Sequence, residues 1–397
     1  MTSLARCVGD DARFLAEHWG RAPLHLPGID GGGFGDLLSL DDVDHLVSST
    51  FLRLPALRLV RDGTPLDPAT YTRSVRMGGK DLADVADPGR IYERFRTGAT
   101  IVLQGLQRFW PPLTHFARGL EMELTHAVQV NAYITPPAAR ALAVHYDTHD
   151  VFVLQFGGSK QWSVYEPVLE DPLGSQPWSS NRGEAGDPIL SASLAAGDSL
   201  YVPRGFLHSA LAQKGTSAHL TVGVVATTWS DVVRTAMAGL DDEVDFRRAL
   251  PVGFAHEPEL LAPAVAAHLE QLRAWLAKVD VDAVAARTAR RFWSGRTPML
   301  AGQLRQLSLL DHLHDGSRLR RRPGAICRIT VDGERLHLLL GDRELHMAAD
   351  LEPVMRHIVA VDEFDVATLG SFLDPASRLV LTRRLVREGL LEVAERG

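Results

Sequence analysis

The sequence predicts a mainly β central domain followed by a helical region and a mixed C-terminal domain, and three observations carry that reading. Between Val128 and Val225 the chain consists of short, β-branched, alternating runs separated by Gly/Pro turns, the pattern of an antiparallel barrel or sandwich. From Trp229 to about Trp293 the apolar period becomes helical. The remainder mixes short strands with two helical stretches. The expected division is therefore 1–228, 229–295 and 296–397.

Taken in order, Asp10 to Thr125 reads as mixed. "ARFLAEHWGRAPLHLPG" predicts a helix ending near Gly20 and then an extended segment held by Pro23 and Pro27. A glycine-rich loop spans Gly31–Gly35, a helix opens at "SLDDVDHLV" with Ser39 as its N-cap, and "ATIVLQGLQRF" predicts a strand with a loop after it. The strands of the β region are "AVQVNAYITPP", "DVFVLQF", "KQWSVYEP", "DSLYVP" and "AHLTVGVVATTW". "QFGGSKQWSVYEP" reads as a hairpin turning on Gly157, Gly158 and Ser159. Farther on, "LLAPAVAAHLEQLRAWLAKV" carries an apolar helical stripe, and "AICRITVDGERLHLLL" supplies short strands. "GSRLRRRPG", Gly316–Gly324, reads as an exposed hinge, and "PASRLVLTRRLVREGLLEV" as the recognition-type helix and wing of a winged-helix module.

Composition narrows the function classes. At 397 residues, 45% hydrophobic and 23% charged, the chain is an ordinary globular sequence long enough to bury more than one core. No apolar run approaches the roughly eighteen residues that cross a bilayer, and "MTSLARCVGDDARFLAEHWG" has acids where a signal peptide is apolar. The expected location is the cytoplasm, with no membrane partner. Cys7 and Cys327 are the only cysteines, so a metal site has to rest on His and carboxylate ligands. A net charge of −7 argues against wholesale coating of nucleic acid.

The segment with the most chemistry is "AVHYDTHDVFVLQFGGSKQW", Ala143–Trp162. In a strand, residues i and i+2 share a side, so His145 and Asp147 project together and Tyr146 faces away. A third ligand comes from "GDSLYVPRGFLH", where a tight turn, a short strand and a Pro203-Arg204-Gly205 kink lead to His208. The set His145, Asp147 and His208 is two histidines and one carboxylate, which suits ferrous iron with positions left open. The spacing of the second segment resembles the second motif of cupin barrels, with Ala212 where that motif continues to asparagine. His149 shares the parity of His145 and Asp147 and is either a fourth ligand or a neighbour facing substrate; Asp150 opens the strand and orients its neighbours. Lys160 shares a face with Trp162 and Val164, an odd neighbourhood for a solvent-facing lysine. It either snorkels at the rim or sits inside the barrel, where its ammonium pairs with a carboxylate of a bound small molecule.

These residues resemble the JmjC-type, cupin-fold oxygenases dependent on Fe(II) and 2-oxoglutarate, in particular the ribosomal oxygenases. The family pattern H-Y-D-x-x-D-V-F-x-x-Q-x-x-G-x-K/R-x-W is met from His145 to Trp162, and its cosubstrate-binding base falls on Lys160. "NAYITPP" is similar to the strand before the metal motif, which implies that Asn131 and Tyr133 lie near the cosubstrate. "SAHLTVG" is similar to the last barrel strand, where Thr221, or Gly223 in another register, takes the place of a cosubstrate-holding hydroxyl. The fold implied is a mainly β catalytic domain, a double-stranded β-helix of the cupin/JmjC type, with an α-helical dimerisation region and a C-terminal winged helix. The activity implied is hydroxylation of a protein or peptide side chain, with a ribosomal protein as one substrate class, consuming 2-oxoglutarate and O2 and releasing succinate and CO2. The polar insert "EDPLGSQPWSSNRGEAGDP" is either one edge of a peptide groove or a solvated loop.

Three other readings stand beside this one. They are a tailoring hydroxylase of peptide natural products, a ligand-sensing cupin regulator that binds DNA through a winged helix, and a metal-dependent cupin without cosubstrate. The last would not need Lys160. The final helix carries four arginines among many acids, so duplex DNA binding is not expected. A homodimer is expected through 229–295.

Overall fold

The computed structural model describes residues 1–28, 33–137, 139, 143–213 and 215–394, so Gly31 and Gly32 of the glycine-rich loop lie outside the described residues. It comprises two units, Met1–Ala226 and Thr227–Gly397.

The first unit is built on thirteen strands: β1 (Leu24–Leu26), β2 (Leu57–Arg61), β3 (Thr64–Pro65), β4 (Thr72–Met77), β5 (Lys80–Ala86), β6 (Thr100–Leu103), β7 (Ala127–Thr135), β8 (Asp150–Gly157), β9 (Ser159–Pro167), β10 (Leu190–Ala195), β11 (Ser199–Val202), β12 (Phe206–Ala212) and β13 (Ser217–Val225). Eight of them form one sheet in the order β1-β11-β8-β13-β7-β6-β2-β3, and a smaller sheet runs β10-β9-β12. From β8 onward the chain passes back and forth between the two sheets, which makes a double-stranded β-helix. Strand parity assigns each side chain to a layer. Val151, Val153, Leu200 and Val202 of the large sheet meet Trp162, Val164, Ala192 and Leu194 of the small one inside the barrel. Phe152, Leu154 and Tyr201 point the other way, into a core shared with the helices Ser3–Val8, Asp11–Glu17, Leu40–Ser49 and Pro111–Leu124. Because β8 is covered on both faces, it reads as a continuous apolar run. Ser39 caps its helix as expected, its hydroxyl accepting from the Asp42 N–H while the Asp42 carboxylate accepts from the Ser39 N–H.

Two local expectations are corrected here. β8 and β9 do not form a hairpin: β8 pairs with β11 and β13, and β9 with β10 and β12. The Gly157-Gly158-Ser159 segment is a corner from one sheet to the other. Gly158 has φ +60°, and a Cβ there would stand 2.0 Å from the Thr216 carbonyl oxygen, so the corner fits against Thr216 only without a side chain. Second, His145–His149 is not a regular strand. His145 makes an isolated bridge to His208 and the ladder begins only at Asp150.

The second unit opens with helices, of which Pro258–Leu276 and Val281–Ser294 are the longest. Its strands are β14 (Arg318–Arg321), β15 (Arg328–Asp332), β16 (Arg335–Leu339), β17 (Glu344–Ala348), β18 (Glu363–Asp365) and β19 (Leu391–Val393), arranged as sheets β18-β14-β19 and β15-β16-β17. Helices Glu352–Ala360 and Pro375–Arg387 pack on them around Leu336, Leu338, Met355, Ile358, Leu385 and Leu391. The Gly316–Gly324 segment is therefore no hinge. It holds the central strand of a sheet, with Leu319 fully buried and its arginines paired: Arg318 to Glu363, Arg320 to Glu392 and Arg321 to Asp362. Within the final helix Arg378 pairs with Asp315, and Arg383 donates to the carbonyls of Leu310 and Leu313. No helix among the described residues is long and apolar enough to cross a membrane.

Candidate active site

The barrel closes around a cavity of about 250 Å³ whose lining includes Tyr133, His145, Asp147, Lys160, Trp162, His208, His219 and Thr221. His145 and His208 reach it from opposite sides of one bridge: the His208 N–H donates to the His145 carbonyl at 2.8 Å, and the His145 N–H to the His208 carbonyl at 3.2 Å. That bridge sets the two rings 4.4 Å apart, centroid to centroid. The turn Pro203-Arg204-Gly205 fixes the third member, because the Gly205 N–H donates to the Asp147 carbonyl at 3.0 Å. Asp147 Oδ2 lies 3.6 Å from His208 Nε2, and the donor atoms of His145, Asp147 and His208 all fall within 4.8 Å of one another.

The protonation pattern suits a cation. Nδ1 of His145 lies 2.8 Å from the Ala143 carbonyl oxygen and Nδ1 of His208 lies 3.1 Å from that of Phe206. A ring that donates from Nδ1 presents a bare Nε2 lone pair to the centre. Burial, reinforced by the neighbouring His145, holds His208 below its ordinary value and so keeps it neutral. Burial pushes the Asp147 carboxyl up, but its electrostatic interaction with the nearby rings of His208, His149 and His145 outweighs that and leaves the group below the usual carboxylate range. Two imidazoles, that of His208 held neutral, and an ionised carboxylate, with a cavity on the remaining side, are a donor set that fits a divalent iron ion with open positions.

Asp150 braces this arrangement from outside. It is buried, accepts from the Tyr201 hydroxyl at 2.7 Å, and sits 3.4 Å from the Arg204 N–H. Tyr201 in turn accepts from the Gly20 N–H at 2.8 Å. Tyr146 points away from the centre, its hydroxyl donating to the Gln176 carbonyl and its ring against Trp178, which pins part of the Glu170–Pro188 insert to the barrel. His149 is not a member of the cluster: its ring lies over Gly223, where an added Cβ would come within 2.9 Å of it.

Lys160 lies deep in the cavity wall, 1% exposed, and the rim reading is thereby excluded. Its Nζ donates to Thr135 Oγ1 at 3.1 Å, and among the described residues it makes no ion pair. Burial alone lowers its ammonium to about 7. Beside it His219 is held well below its ordinary value, first by burial and then by Lys160. The His219 ring stacks on Tyr133 at 5.2 Å and meets the edge of Trp162 at 5.4 Å. The register puts Tyr133 opposite His219 and Asn131 opposite Thr221. Thr221 lines the cavity, whereas Asn131 Oδ1 accepts from the Gly105 N–H at 3.0 Å.

Arg58, on β2, also lines the cavity together with Tyr133. The sequence reading missed it, together with Thr135 and His219. Thr135 and His219 lie inside strings already singled out, and parity with Tyr133 and Thr221 is the signal that finds them. For Arg58 the only signal is an arginine alternating with leucines in "LRLVR".

The family model of the JmjC domain matches residues 105–232. The chain carries a JmjC domain. Arg58 thus enters the cavity from outside the matched JmjC segment, while Lys160 and the His145, Asp147, His208 set lie within it. Ribosomal oxygenase 1 of Rattus norvegicus is 30% identical over 75% of this chain and 51% of its own length. The bifunctional lysine-specific demethylase and histidyl-hydroxylase NO66 of Drosophila persimilis is 30% identical over 53% of this chain and 29% of its own length. The chain spans about half or less of these curated relatives. Among solved structures, the Escherichia coli ribosomal oxygenase YcfD aligns over 98% of this chain and 99% of its own, with TM-score 0.56 and 18% identity, a shared fold. YcfD has also been solved in complex with cobalt and 2-oxoglutarate, and that structure aligns with TM-score 0.53 and 18% identity over 97% of this chain and 98% of its own.

Proposed function

We propose that this protein is an Fe(II)- and 2-oxoglutarate-dependent oxygenase that hydroxylates a side chain of a protein, with ribosomal proteins the first substrate class to test. The observation that carries the reading is the convergence of His145, Asp147 and His208 on a cavity whose wall holds a buried lysine with no carboxylate partner among the described residues. Iron on those three residues, with bound 2-oxoglutarate, would supply the oxidising power, taken from O2, that turns a C–H into a C–OH while succinate and CO2 leave. In this reading Lys160 takes the distal carboxylate of 2-oxoglutarate, and Thr135 holds the ammonium in place. Tyr133 and Thr221 line the pocket beside it, Asn131 stands at its edge, and Trp162 and His219 keep water from the ion pair. Arg58 lines the same pocket as Tyr133 and adds positive charge to it. The names of the relatives, ribosomal oxygenase and histidyl-hydroxylase, favour a protein substrate over a peptide natural product. The test is incubation with basic ribosomal proteins, Fe(II), 2-oxoglutarate and O2, read by mass spectrometry. Gain of one oxygen atom that requires 2-oxoglutarate supports the reading, and 2-oxoglutarate-independent turnover of a small molecule replaces it with a cosubstrate-free cupin.

The finer organisation is proposed on the same footing: a catalytic domain 1–228, a dimerisation region 229–295 and a winged-helix domain 296–397, in a cytoplasmic homodimer. Support for pairing comes from Trp229, Val233, Leu260, Leu269 and Val281, large apolar side chains left exposed along this region. Light scattering at micromolar concentration should give twice the chain mass. The regulator reading is disfavoured because Arg378 and Arg383 of the final helix are committed to Asp315 and to backbone carbonyls rather than presented to a phosphate backbone.

A further inference from the structure

Away from the barrel, the sheet β15-β16-β17 has one apolar and one polar face. Leu336, Leu338 and Leu345 are buried in the core of the second unit. The alternate residues lie on the other face, where Leu339 is buried against Trp293 and His337 on β16 is the direct cross-strand partner of His346 on β17. Glu344 precedes His346 by two residues, so it shares that face and lies diagonally across from His337. The contacts follow from the register. His337 Nδ1 lies 3.0 Å from Glu344 Oε1, the two imidazole rings are 4.8 Å apart and nearly perpendicular, and one donor atom from each of the three residues falls within 4.8 Å of the others.

We infer that His337, Glu344 and His346 form a binding site for a zinc-class divalent cation on the outer face of this hairpin. Two imidazoles and a carboxylate are ligands such ions take at about 2.0–2.2 Å, which puts neighbouring donor atoms a little over 3 Å apart. His337 and Glu344 already have that separation, and His346, exposed at the surface, has the freedom to rotate its ring into place. The carboxylate is also anchored. Arg290, on the helix Val281–Ser294, grips both Glu344 oxygens, with Nη1 3.2 Å from Oε1. Oε2 can stay with Arg290 while Oε1 turns to the cation, an arrangement in which the ligating carboxylate is itself held by a hydrogen-bond donor. Arg290, with His337, also keeps Glu344 below the usual carboxylate range and therefore ionised. Three protein ligands leave a fourth tetrahedral position for water. A bound ion would tie β16 to β17 between the middle of their ladder and the Gly341 turn and join both to the helix carrying Arg290.

The experiment uses the full, untagged chain and zinc alone, with bound metal counted by equilibrium dialysis and elemental analysis. Four proteins are compared: the parent, His346→Ala, Asp147→Ala and the double variant. Asp147→Ala should retain an equivalent of zinc that the double variant loses, a drop in affinity of at least about 10–100-fold, the range for groups that only support a ligand. Zinc should also raise the melting temperature of Asp147→Ala and leave that of the double variant unchanged. His346→Ala without metal should melt with the parent, because its side chain is exposed. Equal zinc binding by Asp147→Ala and the double variant, or none by either, overturns the site. Neither result bears on the barrel, which is read separately from the parent against Asp147→Ala.

Discussion

The barrel cavity and the C-terminal sheet β18-β14-β19 both concentrate polar side chains, and they treat them oppositely. Around β14 each long charged side chain has met its partner: Arg318 with Glu363, Arg320 with Glu392, Arg321 with Asp362. In the barrel wall the more deeply buried groups are left short. Lys160 has a hydroxyl and no anion, and the ring nitrogens His219 Nδ1 and Trp162 Nε1 have no hydrogen-bond partner among the described residues. Burying such groups unpaired costs free energy that paired surface arginines do not incur. Charges that merely hold a sheet together are satisfied by the chain; the cavity keeps a lysine with no anion beside it, which a carboxylate ligand would hold as a cation.

The contrast breaks most visibly at the carboxylate of the candidate centre. Asp147→Ala should abolish turnover, and anaerobic Fe(II) with 2-oxoglutarate should then give no charge-transfer absorption. A variant that keeps both returns Asp147 to an ordinary polar role. Lys160→Ala should bind iron like the parent and lose affinity for 2-oxoglutarate. Removing one side of a buried pair costs about 3–5 kcal/mol, or roughly two to three orders of magnitude or more in Kd, measured by titrating the same absorption. Parent-like binding would mean that the cation serves something else.

The same lysine gives a pH test on the protein without ligand. Burial lowers its ammonium from 10.5 to about 7, so between those values the unfolded chain holds a proton that the folded one has released. Stability contributed by this group therefore rises with pH through that window, the penalty being fully present below about pH 7. Urea titrations from pH 7 to 10 should show the rise, and Lys160→Met should flatten it. Tyr201→Phe should cost less, about 1–3 kcal/mol, because it leaves the buried Asp150 oxygen and the Gly20 N–H short of a partner. Denaturation reads this loss directly. Arg320→Ala, in the satisfied region, should cost no more than about 1 kcal/mol by the same measurement. If Arg320 proves dearer than Tyr201, the distinction between the two regions fails. Fluorescence anisotropy with duplex DNA at physiological salt should detect no binding, and substituting Arg383, Arg384 and Arg387 should change nothing.

How much of this was legible in the sequence differs from residue to residue. His145, Asp147, His208 and Lys160 stand in short motifs whose chemistry is local, and the structure gathers them round one cavity. The alternation of β7 through β13, including the inward parity of Lys160, Trp162 and Val164, is a period-two signal that no distant contact is needed to read. The Gly157-Gly158-Ser159 turn was legible as a reversal and misread as a hairpin, since which sheet receives the next strand depends on Thr216, almost sixty positions later. "GSRLRRRPG" looked like an exposed hinge because arginines favour water; the acids that make it a central strand come from Asp362, Glu363 and Glu392. Arg58, and Tyr201 as the partner of the orienting Asp150, were invisible for the same reason. By itself the sequence determined which residues can do chemistry and on which face of a strand they stand, because backbone periodicity is local. Only the tertiary structure decided which charges found partners and which were left facing the cavity, because that pairing is made between segments far apart in the chain.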